Sequence, residues 1–195
     1  NLDDLINGHE VELPKYDFIT GKSMKSGRKI SLPENGVVIV EGIHGLNPDL
    51  YFNVPDQKIY RIYVSALTAL NIDNHNRIPT TDGRLLRRMV RDSRTRGHDP
   101  VETLKRWPAV RKGEEKNIFP YQENADIMFN SSLVYEFSVL KKHACQLLET
   151  VPADSVVYRE VKRLMKFLSF FEEIDDSIVP KNSILREFIG GGIFT

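Results

Sequence analysis

Apolar positions recur along this chain with two periods. Val37-Val38-Ile39-Val40 is a continuous β-branched run between Gly36 and Gly42. Such a run predicts a central parallel strand covered on both faces. Residues 59–64 alternate and predict a second strand, and 126–130 a short third. The period changes from 81 to 96, where Leu85, Leu86, Met89 and Val90 fall on one side of a helix and Arg84, Arg87, Arg88 and Arg91 on the other.

Further helices are predicted at 101–116, broken or kinked at Pro108, at 134–149, and at 155–173 with Asp154 as N-cap. A last amphipathic turn covers 182–189. Residues 1–8 read as two final turns of a helix closing on Gly8, which suggests a fragment of a longer protein. Residues 11–19 and 28–32, joined by the turn-rich 20–27, predict a β-hairpin. Strands alternating with helices point to an α/β fold with a largely parallel sheet and flanking helices.

Composition sharpens this picture at two points. The 195 residues carry no net charge, yet 77–116 hold twelve Lys or Arg against six Asp or Glu, a local +6. Basic charge is thus focused on the arginine helix and its neighbour. Cys145, the one cysteine, lies in a helical pattern and is expected to be a small core residue rather than a nucleophile. With no disulfide framework, no long apolar span and no charged-then-apolar leader, a cytoplasmic chain away from the membrane is expected.

A helix that buries an apolar stripe and presents a row of guanidinium groups is suited to phosphate, because each arginine is a rigid, permanently charged fork of donors. The basic run continues through Arg94 and Arg96 to Gly97, where the chain can turn and close over a ligand. Glu41, at the expected C-terminal end of the apolar strand, is a candidate Mg²⁺ ligand, since open α/β sheets bind ligands there. Tyr16 and Phe18 flank Asp17 and could stack on a base or face a core.

Other candidates fail on context. Thr20-Gly21-Lys22-Ser23 lacks the earlier glycine of a phosphate-binding loop, Tyr16 standing in its place, and the strand and helix that should flank it are missing. Nothing follows Gly190-Gly191-Gly192 that could supply a phosphate-binding helix N-terminus. The five histidines have no zinc-ligand spacing, and His44 is kept as a ligand contact.

Three segments together resemble the uridine kinase and phosphoribulokinase family of P-loop kinases. They are Tyr16-Asp17-Phe18, then Val40-Glu41-Gly42-Ile43-His44-Gly45-Leu46, then Asp82-x-Arg84-Leu85-x-Arg87-Arg88-x-x-Arg91-Asp92 with Arg96-Gly97. The resemblance spans about 1–150. Residues 111–116 and 183–191 are also similar to long bacterial nucleoside kinases that carry a threonyl-tRNA-synthetase-like N-terminal region. It implies a partial P-loop NTPase-like sheet with a substrate-side hairpin, a lid at about 77–116, and a helical extension at 151–195.

The resemblance further implies transfer of the γ-phosphoryl group of ATP to a nucleoside 5′-hydroxyl, with Mg²⁺. Tyr16 and Phe18 would contact the base, Glu41 would serve the metal, Arg88 would approach the nucleoside, and Arg91 and Arg96 would stabilise the transferring group. The family's phosphate loop and catalytic Asp precede residue 1, so the chain alone is expected to be inactive. It departs from the family at Gly21, where a histidine reads the pyrimidine, at His98 in the lid, and at Arg106, where a glutamine is usual.

These departures leave two alternatives beside a nucleoside: another small alcohol, such as a sugar phosphate or pantothenate, or a non-catalytic module binding RNA or another polyanion. Few aromatics interleave the basic segment, which argues against nucleic acid. Homo-oligomerisation is left open.

Overall fold

The structure, a computed structural model, describes residues 2–17 and 22–194. It divides into two compact units, Asn1–Arg61 with Glu114–Asp126, and Ile62–Gly113 with Ile127–Thr195. In the first, α1 (Leu2–Ile6) ends as its sequence suggests: Gly8 takes φ +82°, and Gly8 and His9 donate to the carbonyls of Leu5 and Asp4. A hairpin follows, β1 (Val11–Asp17) antiparallel to β2 (Lys22–Ile30).

The strand β2 starts earlier than the pattern suggested, because residues 22–25, expected in the turn, pair with β1. A bulge between Glu12 and Pro14 accommodates the proline, which has no N–H for the ladder. Gly27 holds the bulge at φ +71° and donates its N–H to Glu12 Oε1 at 2.9 Å. Phe18 lies outside the described residues.

Val37–Val40 is not a strand. It is irregular, with Val37, Ile39 and Val40 at 85%, 90% and 61% exposure. β-branched residues favour extended backbone, but a strand exists only through its ladder, and no described strand pairs with this segment. Glu41 therefore sits in an exposed loop rather than at a strand end.

The second unit opens with β3 (Ile62–Ser65), which pairs in parallel with β4 (Ile127–Asn130), Ile62 opposite Ile127 and Ser65 opposite Asn130. The parallel arrangement expected of the sheet is present in these two strands. Between them come α2 (Thr80–Arg96) and α3 (Pro100–Asn117). The expected break at Pro108 is absent, and α3 runs through it. α4 (Glu136–Glu149), α5 (Tyr158–Leu168) and α6 (Arg186–Ile189) complete the unit.

The fifth helix is shorter than 155–173, and Asp154 does not cap it. Residues 152–157 are spent in turns, with Ser155 and Tyr158 donating to Pro152 and Ser155 carbonyls before the helix begins. No described helix is long and apolar enough to cross a membrane.

One core joins α2, α4, α5 and α6. The expected stripe Leu85, Leu86, Met89 and Val90 is buried, together with Phe137, Leu140, Leu164 and Leu185. Each such side chain contributes roughly 1.5–3 kcal/mol relative to exposure. Gly83 lets α2 approach α4, since a Cβ there would stand 3.2 Å from the Phe137 ring. That ring stacks on Phe171 at 5.0 Å and meets Phe167 edge-on at 5.3 Å.

One arginine departs from the expected face. Arg87 is buried and pairs with fully buried Glu136, while its Nη2 also donates to the Ser131 carbonyl at 2.8 Å. It stands at the edge of the polar arc, where α4 closes over it. A second tie is bidentate, Arg163 of α5 donating to both carboxylate oxygens of Asp82 at 2.7 Å.

Removing one partner of a buried pair strands the other's charge, so Glu136→Gln should cost about 3–5 kcal/mol of stability. Urea unfolding measures it, and Arg87→Met combined with Glu136→Met should recover part of the loss. Cys145 packs partly buried against the core, and burial first, then Glu149, pushes its thiol pKa up. The neutral thiol is therefore favoured by folding, a contribution present at neutral pH and lost as pH rises through the raised value. Labelling by a thiol reagent at pH 7.5 should be about tenfold or more slower in native than in unfolded protein.

Candidate functional site

The second unit gathers three of the predicted site residues around one carboxylate. Asp92 is 1% exposed. Arg91 approaches its Oδ1 from Nε and Nη2, each at 3.0 Å, and Arg96 Nη1 lies 3.3 Å from the same oxygen. Arg88 Nε reaches Oδ2 at 3.3 Å. That last contact is an ion pair without hydrogen-bond geometry, so Oδ2 has no hydrogen-bond donor.

The i,i+4 spacing of Arg88, Asp92 and Arg96 makes this possible, because side chains four apart on a helix stand one above the other. Three guanidinium groups share one buried carboxylate, which by itself leaves two positive charges in excess. Arg88 registers the crowding: partial burial lowers its pKa, Asp92 opposes this, and Arg91, Arg96 and Arg106 lower it further. A site with surplus cation and remaining N–H donors is ready for an anion.

The backbone beside the cluster makes a left-handed turn that ends α2. Gly97 takes φ +65°, and the N–H groups of Gly97 and His98 both reach the Asp92 carbonyl. Asp99 then caps the next helix, accepting from Glu102 N at 2.7 Å, with Pro100 at its first position. Gly97 thus joins the C-terminus of α2, where Arg96 stands, to α3.

The remaining predicted residues belong to the first unit. Tyr16 lies on β1 opposite Ser23 and is 53% exposed. Glu41 precedes Gly42, whose carbonyl closes a turn with Gly45 N at 2.9 Å, and the His44 that follows is exposed. Among the described residues no group of three His, Cys, Asp or Glu could hold a metal ion. A lone exposed carboxylate does fit Mg²⁺, which takes one or two carboxylates and completes its shell with water and substrate phosphates.

Two participants were not singled out from the sequence. Asp92 enters the sequence only as part of the family-like motif, although its i,i+4 relation to two arginines is legible there. Arg94 was grouped with the basic run, but it donates to the Glu187 and Phe188 carbonyls of α6, at 2.8 and 3.2 Å. No local pattern could reveal that tie, because the partners are more than ninety residues away.

Comparison with known proteins places these features in a lineage. The chain is 33% identical to a uridine kinase of Staphylococcus haemolyticus and to one of Staphylococcus epidermidis, in each case over 129 residues, 66% of this chain and 54% of the relative. A uridine kinase of Staphylococcus carnosus is 32% identical over the same length, 53% of its own chain. The chain therefore spans about half the length of the curated relatives it matches. No solved structure matches it. The sequence model of the phosphoribulokinase / uridine kinase family matches residues 1–136, which include the hairpin, Glu41 and the whole arginine helix. This chain belongs to the phosphoribulokinase / uridine kinase family.

Proposed function

We propose that the protein takes part in ATP-dependent phosphorylation of a nucleoside 5′-hydroxyl, on a P-loop NTPase-like α/β framework in the cytoplasm. The observation that carries this is the cluster of Arg88, Arg91 and Arg96 around buried Asp92. Phosphoryl transfer asks little covalent chemistry of a protein. It needs reactants aligned and charge on the transferring oxygens neutralised by fixed donors.

In this reading Arg91 and Arg96 face the transferring group, while Arg88, about two and a half helical turns before the bend at Gly97, approaches the nucleoside. Their orientation is set before ligand arrives, because Asp92 is held rigidly in the helix and is nearly inaccessible to water. Preorganised donors of this kind stabilise a developing charge without having to reorient. Tyr16 and Phe18 offer ring faces to the base, and Glu41 offers Mg²⁺ one carboxylate oxygen. When bound, the metal would screen the β- and γ-phosphate charges.

The departures at Gly21, His98 and Arg106 bear on which alcohol accepts the phosphate. Assay of the full-length protein with ATP, Mg²⁺ and a panel of nucleosides, sugar phosphates and pantothenate should show turnover of a nucleoside. Turnover of a sugar phosphate or pantothenate alone would overturn the nucleoside assignment.

Against the best substrate, Arg91→Ala should lower kcat/KM by about a hundredfold or more, the scale of one lost transition-state donor at ~3 kcal/mol. The loss should fall mainly on kcat. Glu41→Ala should raise the Mg²⁺ concentration needed for half-maximal rate by about tenfold or more, the scale of one lost charged ligand. An unchanged Mg²⁺ titration would remove Glu41 from the site.

A further inference from the structure

Beyond the family-matched residues 1–136, the C-terminal segment brings one more carboxylate to the arginine cluster. Its backbone is held firmly against α2. Arg94 forks onto the Glu187 and Phe188 carbonyls, and the Phe188 ring lies 5.1 Å from the Arg87 guanidinium carbon. Gly190, at φ +87°, passes so close to Arg94 that a Cβ would meet its side chain at 3.3 Å. From the other side Arg186 donates to the carbonyls of Asp176, Val179 and Gly190. Charge-assisted bonds to carbonyls at both ends leave this short helix little freedom.

The Glu187 side chain is held quite differently. Its Oε1 lies 3.7 Å from Arg91 Nη1, and the side chain is 51% exposed. A pair that long and that wet is weak and readily screened by salt. On the other edge of the same guanidinium, Asp92 is buried and in close contact at 3.0 Å. Arg91 therefore has one permanent acidic partner and one exchangeable one.

We propose that Glu187 is an internal counter-ion of Arg91. It occupies the place of a ligand's phosphoryl oxygens and swings into solvent when such an anion binds, so that the C-terminal segment sets the affinity of the cluster for phosphate. The charge count supports the exchange: Asp92 leaves the three arginines with an excess of two, and Glu187 reduces it to one. The anchored backbone means that a side-chain rotation suffices, without release of α6 from α2. The proposal rests on Arg91 serving a phosphate, as in the function proposed above.

Calorimetric titration of the full chain with inorganic pyrophosphate, in low salt without Mg²⁺, tests it through the part of the binding that Arg91→Ala abolishes. Glu187→Gln should tighten that part about fivefold, the order expected from removing one exposed ion pair. Glu187→Asp should stay within about twofold of the parent, since it keeps the charge. Glu102→Gln, which removes a carboxylate paired with Arg106 instead, should do likewise.

Unchanged or weaker binding by Glu187→Gln, with Arg91→Ala still defective, would overturn the counter-ion role and leave the phosphate site standing. An equal gain from Glu102→Gln would also overturn it, reducing the effect to overall charge. Binding that Arg91→Ala leaves intact, or no binding by any variant, would overturn both the counter-ion role and the assignment of Arg91 to phosphate.

Discussion

The second unit depends on the pairing of Arg87 with Glu136. Neither charge reaches water, so each is stable there only while the other is in contact. Glu136 also accepts the Leu133 N–H at 2.9 Å, and Arg87 also holds the Ser131 carbonyl at 2.8 Å. The pair thereby ties the turn between β4 and α4 to the middle of α2 and sets the rotation of that helix about its axis. With Arg87 inward, Arg88 and Arg91 must lie along the polar arc beside it, and Arg96 follows one helical repeat beyond Asp92.

Five of the six arginines of α2 divide by what surrounds them. Arg87 and Arg94 hold other elements in place, one through a carboxylate and one through backbone carbonyls. Arg88, Arg91 and Arg96 surround Asp92 and keep donors in reserve. A charged helix face is therefore neither wholly structural nor wholly functional. Burial decides: a guanidinium closed over by a neighbouring helix must find its partner inside the protein, while one left at the rim can exchange partners with solvent or ligand.

The relation of this unit to its family follows the same division. Residues 1–136, which match the family, contain the arginines and the acid that gathers them. Glu136, which turns α2, is the last of them, and further supports of α2, namely Phe137, Arg163, Phe188 and the carbonyls of α6, come after it. The C-terminal helices share the core of the arginine helix, with Leu164, Leu168 and Leu185 wholly buried among its side chains. Part of the support for the cluster is thus provided by chain outside the residues that match the family.

The helices were legible in the amino-acid order because their determinants are local. The 3.6-residue period placed Leu85, Leu86, Met89 and Val90 inward, Gly97 supplied the left-handed turn, and i,i+4 spacing put Asp92 between Arg88 and Arg96. Parallel pairing was legible only in outline. Four β-branched residues at 37–40 favour extended backbone, but whether they join a sheet depends on a distant partner, and here they lie exposed. Burial of Arg87, the tie from Arg94 to α6 and the approach of Glu187 to Arg91 were likewise settled only in three dimensions. Each requires groups tens of residues apart to meet, and the free energy of such a meeting comes from desolvation and packing, which no short window of sequence contains.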